Sequence, residues 1–179
     1  YTEGFHPHLY LMFPLALSLG IESVCEVMDL RLTEELPASE ILKRLNAVFP
    51  EGLYARQVHE PVHQAQDITN AEYLLELVAP EIEDFAACWE KFINQPEILV
   101  QKRTKKGFRE MDIRSFLQVE EIRKQDDSFR LVIRLPAGNE GNINVSVVID
   151  AFENYAGKPI KIKSACRTKI FCRNFQEFF

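Results

Sequence analysis

The order of strand-like and helix-like hydrophobic patterns after residue 66 constrains the fold more than any other feature. Phe85, Trp89 and Phe92 recur at helical spacing, whereas the flanking segments alternate or form short apolar runs. The predicted elements are, in order, residues 71–79 (strand), 82–93 (helix), 97–102 (strand), 116–124 with 128–135 (a hairpin), 143–155 (helix) and 160–171 (strand). This order, βαβ, then a hairpin, then αβ, predicts a ferredoxin-like βαββαβ plan with an extra edge strand.

One of these elements has two possible structures. Val145, Val147 and Val148 favour a strand by propensity, but Val148, Ile149 and Phe152 form a helical stripe. Gly157-Lys158-Pro159 then supplies a helix stop, so we predict a helix over 143–155.

The beginning of the chain repeats part of the same plan. Strand patterns at 9–13, 23–32 and 53–60 and a helical pattern at 37–48 give the order ββαβ. Since the opening strand and helix are missing and the chain starts without Met, we expect a fragment lacking about 30 residues. We therefore predict an α+β protein of two ferredoxin-like halves: residues 1–66, which are truncated, and residues 67–179, which have the extra hairpin strand.

Composition narrows the functions. The 179 residues are 46% hydrophobic and 27% charged, with a net charge of −6. This acidic balance argues against wholesale electrostatic binding to nucleic acid or an anionic membrane, but it allows local basic patches. No apolar run reaches the ~20 residues of a membrane span, and no signal peptide is visible, so we expect a cytoplasmic protein without membrane contact.

The four cysteines, Cys25, Cys88, Cys166 and Cys172, lack the spacing of a cofactor site. There is no Cys-x-x-Cys pair for zinc and no three-cysteine signature for an iron–sulfur cluster. We predict buried free thiols and no cofactor.

Five short stretches carry a family resemblance: YTEGFHPH (1–8), PLALSLGIES (14–23), EVMD (26–29), NAEY (70–73) and DIR (112–114). Together they resemble the bacterial radical-SAM-associated family built on the DUF2344 domain. Proteins of this kind are similar to domains encoded beside, or fused to, a radical SAM protein. The resemblance implies such a partner, but no established activity and no catalytic residues.

His6 and His8 form the most suggestive small cluster. They flank Pro7 and project to one side of an extended segment, where two imidazoles could ligate a metal or contact a phosphate. Alternatively, they hydrogen-bond backbone carbonyls and order a turn. Because two histidines fall short of the ligand count of a metal site, we predict no metal and retain both residues as binding candidates.

Asp112 and Arg114 are the catalytic candidates. Two residues apart on an extended stretch, they would place a carboxylate beside a guanidinium, which holds the carboxylate ionised. Such a pair is either catalytic or an anchor between sheet strands, and the motif is too short to decide.

Two basic runs stand out against the acidic total. One basic run starts at Lys102 and continues through a predicted loop at 103–109, and the final strand region carries Lys161, Lys163, Arg167, Lys169 and Arg173 at odd-numbered positions. Odd positions of a regular strand share one face, as an RNA-binding sheet requires. The alternative is a solvated, charged edge that prevents aggregation.

Two function classes remain. The first is an accessory or substrate-presenting partner of a radical SAM enzyme, with RNA as a candidate substrate bound through the final strand. The second is an RNA-modifying enzyme of pseudouridine-synthase-like architecture that uses Asp112. The chain has no Gly-rich phosphate loop and no nucleophile–base motif, so we favour the first, non-enzymatic class.

Overall fold

The structure, a computed structural model, describes residues 10–104, 107–139 and 141–179, which divide into two units. The first unit contains residues 10–14, 27–64 and 179, and the second contains residues 15–26 and 65–178. The elements are strands β1 (Leu11–Met12), β2 (Glu22–Ser23) and β3 (Asp29–Leu30), helix α1 (Ala38–Val48), strand β4 (Ile68–Val78), helix α2 (Phe85–Ile93), strands β5 (Leu99–Thr104), β6 (Gly107–Asp112), β7 (Gln118–Gln125) and β8 (Ser128–Pro136), helix α3 (Val145–Ala156) and strand β9 (Lys161–Cys172). With helices and mostly antiparallel strands, the described part of the chain confirms the predicted α+β class.

The first unit contains little regular structure beyond α1. Strands β1 and β3 pair antiparallel, and the predicted helix forms over Ala38–Val48. The strand predicted at 53–60 does not form. The reason lies in Asn46, whose side chain bonds both the N–H (2.7 Å) and the carbonyl (2.9 Å) of Ala55, groups that a strand would use for pairing.

The strand predicted at 23–32 is also wrong. Residues 22–23 pair with β9 in the second unit, while residues 29–30 pair with β1 in the first. The segment therefore forms two short strands with an irregular stretch between them.

The second unit is built on a five-stranded sheet of order β2-β9-β4-β8-β7. The central strand β4 pairs antiparallel with β8 and β9, whereas β2 runs parallel to β9 at the edge. Residues of β4 alternate between buried and half-buried, the period of two expected when one sheet face covers the core. The buried face is covered by α2 and α3 through a group of aromatic side chains: Phe85, Trp89, Phe92, Phe129 and Phe152.

Helix α2 begins at Phe85 rather than at the predicted residue 82, and α3 spans Val145–Ala156 rather than the predicted 143–155. The carboxylate of Asp84 accepts a hydrogen bond from the N–H of Ala87 (3.0 Å) and caps α2. Helix α3 ends at Gly157, whose φ of 62° is the left-handed conformation that glycine adopts without strain. The choice of helix for 143–155 is therefore confirmed.

The predicted basic loop at 103–109 is wrong. Strands β5 and β6 pair from Leu99 opposite Asp112 to Thr104 opposite Gly107, forming a separate two-stranded sheet. Gly107, the first residue of β6, has a φ of 120°, which other residues rarely adopt. Of the basic run, Lys102 and Arg103 therefore belong to β5 and Arg109 to β6.

Candidate functional site

The sheet of the second unit has one face that α2 and α3 do not cover, and we call it the outer face. Strand registers place on it Glu72, Leu74 and Glu76 of β4, Arg130, Val132 and Arg134 of β8, and Lys161, Ser164, Cys166 and Lys169 of β9. The face is thus rich in charge of both signs, with a few apolar side chains between the charges.

Three of the five basic residues predicted for binding lie exposed on this face. Lys161 and Lys169 belong to it by register, and Lys163 joins it because its Nζ bonds Oε1 of Glu76 (2.7 Å). The side chains of Lys163 and Lys169 are 60% and 47% exposed. Arg173 is exposed as well, but it lies in the 3-10 turn that follows β9.

Arg167 contradicts the prediction that the odd-numbered basic residues share one face. Two irregularities in the β4–β9 register insert Lys163 and Thr168 as extra residues, and each insertion reverses the alternation. As a result Arg167 pairs with Tyr73 on the buried face and is only 1% exposed. It cannot contact a bound polyanion without unfolding this part of the sheet.

The carboxylates of the outer face are bound from within the sheet. Glu76 accepts hydrogen bonds from Lys163 (2.7 Å) and from Oγ of Ser128 (2.9 Å), which together lower the pKa of Glu76. The same contact raises the pKa of Lys163. Glu72 accepts from Oγ1 of Thr168 (2.9 Å) and is only 14% exposed. The lysine head groups are therefore more exposed than these two carboxylates.

One end of the outer face carries a cluster of two aromatic rings and a guanidinium, formed by Phe171, Phe175 and Arg134. The guanidinium of Arg134 lies 4.4 Å from the ring centre of Phe171 and 4.9 Å from that of Phe175. Its Nη2 is 3.7 Å from Glu72 and 3.2 Å from Glu120. The aromatic rings and the two carboxylates hold the guanidinium in a defined position.

Arg167 anchors the segment 15–26 to β9. Its Nη2 and Nε donate to Oε1 of Glu26 (2.6 and 2.9 Å), and the guanidinium also donates to the carbonyls of Leu15 (3.1 Å) and Ala16 (3.3 Å). The Arg167 carbonyl lies 3.4 Å from the Sγ of Cys25. Burial raises the pKa of Cys25 to about 11, so this thiol is not a nucleophile at neutral pH.

A small cleft opens beside this anchor. It has a volume of about 250 Å³ and is lined by residues 17–21, Tyr73, residues 144–146 and Ile162. Oγ of Ser18 donates to Oδ1 of Asn144 (3.2 Å) across its mouth. Burial raises the pKa of Tyr73, so its hydroxyl stays protonated at neutral pH.

Asp112 and Arg114 hold backbone rather than each other. Oδ1 of Asp112 accepts from the N–H groups of Ile98 (2.8 Å) and Arg114 (2.9 Å), and these bonds lower the pKa of the carboxyl. Nε of Arg114 donates to the carbonyl of Gln95 (2.6 Å). Both side chains fasten backbone at the end of the β5–β6 hairpin, whereas the anchoring alternative expected them to form an ion pair with each other.

Some predicted residues lie outside the described part of the chain, namely His6, His8, Lys105 and Lys106. Within the described ranges, no three His, Cys, Asp or Glu side chains are grouped closely enough to hold a metal ion. In the same ranges, no helix has the length and apolar character to cross a membrane. The four cysteines are free thiols; Cys25 and Cys172 are buried and the other two are half-buried.

The sequence did not single out Arg134, which lies among the aromatic rings of the outer face, or Glu26, which pairs with Arg167. Arg130 and Arg134 alternate with apolar residues along β8, a pattern that indicates a polar sheet face. Glu26 offered no such signal, because its partner Arg167 is 141 residues away.

The first 145 residues match the model of a family of uncharacterised proteins conserved in bacteria, DUF2344. No curated protein matches the chain. The matched range contains all five stretches that carry the resemblance, and the resemblance to the DUF2344 family is confirmed. Three of these stretches, 14–23, 26–29 and 70–73, contribute residues that contact or pair with Arg167.

Proposed function

Because the chain belongs to the DUF2344 family, we propose that it is an accessory protein that presents RNA to a radical SAM enzyme in the cytoplasm. The observation that carries the RNA part of this proposal is the exposure of Lys161, Lys163 and Lys169 on one uncovered sheet face. The radical SAM part rests on the family resemblance. The catalytic alternative at Asp112 has no comparable support, since its Oδ1 already accepts two backbone hydrogen bonds.

Within this proposal, the second unit has a ferredoxin-like fold. The strands β4, β7, β8 and β9 alternate with α2 and α3 in the order βαββαβ once the β5–β6 hairpin is treated as an insertion. Their order in the sheet, β9-β4-β8-β7, is the order 4-1-3-2 of that plan. Such a fold covers one sheet face with helices and leaves the other open for a ligand.

The ion pairs of the lysines do not prevent phosphate binding. Lys163 pairs with Glu76 at 2.7 Å and Lys169 with Glu177 at 3.2 Å, but both lysines are about half exposed or more. Exposed pairs of this kind contribute little free energy, so a phosphate can replace the carboxylate as the partner. Binding by a few lysines also agrees with a net charge of −6, because only a local patch needs to be positive.

The test measures the salt dependence of single-stranded RNA binding by fluorescence anisotropy. Replacing Lys161, Lys163 and Lys169 by glutamine should shallow the log–log salt slope by about 0.7 per lost phosphate contact, or about 2 in total. The matched control replaces the exposed residues Lys43, Lys91 and Lys124, with the same change in net charge and an unchanged slope expected. Equal slopes for the two triple variants, or no RNA binding by the wild-type chain, would overturn the RNA proposal.

The enzyme partnership is tested separately. The chain should co-purify with the radical SAM protein encoded beside it, and RNA should be recovered from the complex. Failure to co-purify would reject the partnership while leaving the RNA measurement to stand by itself.

A further inference from the structure

The 3-10 turn at Arg173–Phe175 holds two adjacent residues in an unusual backbone conformation. Asn174 has a φ of 62° and Phe175 a φ of 56°, both in the left-handed region. Asparagine tolerates this region, but a bulky aromatic residue rarely adopts it because its Cβ crowds the backbone. The turn therefore carries conformational strain that other contacts must offset.

Those contacts come from the chain on either side of the turn. The N–H of Cys172 donates to the carbonyl of Gln176 (2.8 Å), and that of Phe178 donates to the carbonyl of Ile170 (3.0 Å). The Phe178 side chain is buried, with 5% of its surface exposed. The segment thus folds back on the end of β9 and fixes the turn between two backbone attachments.

Phe175, one of the two residues with a left-handed backbone, also exposes part of its side chain to solvent. Phe175 is 49% exposed, although its ring lies 4.9 Å from the guanidinium of Arg134. Phe171, which is buried, lies 4.4 Å from the same guanidinium, and the Phe171 and Phe175 rings meet edge to face with their centres 6.3 Å apart. Phe175 is therefore held against a buried aromatic ring and a guanidinium, with part of its own ring open to solvent.

This aromatic–guanidinium cluster lies beside the lysines of the outer face. Arg134, Glu72 and Lys169 occupy one row across β8, β4 and β9. Strands are spaced about 4.8 Å apart, so the backbones of Arg134 and Lys169 are about 10 Å apart. An aromatic ring and a cation thus lie together on one open surface, the combination with which proteins bind single-stranded nucleic acid.

We propose that Phe175 is a base-stacking residue, which takes an unpaired base of single-stranded RNA on its exposed ring while Lys169 and its neighbours contact phosphates. The inference rests on the proposed function and adds Phe175 to the residues proposed to contact RNA. Stacking on an aromatic residue tolerates any base, so the site would give affinity without sequence selectivity. The strained turn holds the ring in place before RNA arrives, which reduces the entropy lost on binding.

The test uses the full chain, a fluorescein-labelled oligouridine and the same oligonucleotide with abasic sugars. Phe175→Ala should weaken binding to oligouridine between about 5- and 150-fold, the range measured for loss of one stacked base. The salt slope should not change, because no phosphate contact is removed. With the abasic strand, wild type and variant should bind equally. Phe116→Ala, which removes another exposed aromatic residue (41% exposed), is the matched control and should bind like wild type.

Phe175→Trp supplies a second measurement that does not depend on the alanine variant folding. It should bind oligouridine as well as wild type, and stacking should quench the fluorescence of the new indole. If wild type binds RNA and the lysine variants change the salt slope, but Phe175→Ala binds as wild type does, this inference is wrong and the proposed function stands. If wild type binds no RNA, both fail. If Phe175→Ala no longer co-purifies with the radical SAM protein but binds RNA with wild-type affinity, Phe175 is a protein-docking residue and the inference is wrong.

Discussion

Replacing Arg167 by methionine should destabilise the second unit by about 3 kcal/mol. Removing one member of a buried ion pair costs about 3–5 kcal/mol, because the other charge is left without its partner. Arg167 is 1% exposed, but Glu26 is 25% exposed and can regain some hydration, which places the loss at the lower end of that range. The carbonyls of Leu15 and Ala16 also lose their donors, while methionine keeps most of the buried volume.

The single tryptophan, Trp89, makes the assay specific for this unit. It lies on α2 and is fully buried, so its fluorescence during urea unfolding reports the second unit alone. For a protein of this size a loss of 3 kcal/mol corresponds to a fall in Tm of about 6–12 °C. Lys163→Met, a substitution of an exposed residue on the same strand, should leave the urea midpoint close to that of wild type.

A double variant separates the ion pair from other effects of the substitution. Glu26→Leu combined with Arg167→Met replaces both charges, and it should recover a large part of the loss, since an apolar pair needs no compensation. If Arg167→Met alone lowers stability by less than about 1 kcal/mol, the assumption that this pair organises the segment 15–26 is wrong.

Three further predictions concern other parts of the second unit. Asp112→Ala should destabilise the β5–β6 hairpin at neutral pH, because folding lowers the pKa of Asp112 and so favours the ionised carboxylate. The difference in unfolding free energy between variant and wild type should be full above the ordinary carboxyl pKa of about 3.9, and it should disappear as pH falls through the lowered pKa of the folded state. Urea unfolding at several pH values between 7 and 2 measures this difference. Gly138→Ala should cost about 1–3 kcal/mol in thermal unfolding, because Gly138 has a φ of 100° and an added Cβ would overlap the carbonyl of Ile68; a stability equal to wild type would contradict this. Burial raises the pKa of Cys25 to about 11, so about one thousandth of this thiol should be thiolate at pH 8. Alkylation followed by mass spectrometry should therefore show slower labelling of Cys25 in the folded chain than in urea. Equal labelling rates would contradict the burial of Cys25.

The elements with strong local signals were predictable from the sequence. Helix α2 combines an aromatic stripe with an Asp cap, and α3 ends at a glycine, so each is specified by neighbouring residues. The β7–β8 hairpin likewise lies where two alternating segments meet at Asp126-Asp127. In each case the information lies within about fifteen residues.

The orientation of the basic strand was not predictable, because it depends on pairing partners. Counting odd positions assumes an unbroken alternation, but β9 has extra residues at Lys163 and Thr168 opposite β4. The positions of such bulges depend on contacts with a strand about 90 residues earlier in the chain. The same limitation hid the role of Arg167, since nothing near it in sequence indicates that its partner is Glu26.

The path of residues 15–26 has a consequence for how the protein can be divided. The chain enters the second unit at residue 15, leaves it after residue 26 and returns at residue 65. A protein beginning at residue 65 would keep α2, α3 and four of the five strands of the large sheet. Strand β9 would then become an open edge, and Arg167 would be a buried cation without its carboxylate. A synthetic peptide covering residues 15–26 should then bind that fragment from solution by adding the missing strand, as in fragment complementation. The second unit is thus assembled from two separate stretches of the chain that should also recognise each other as separate molecules.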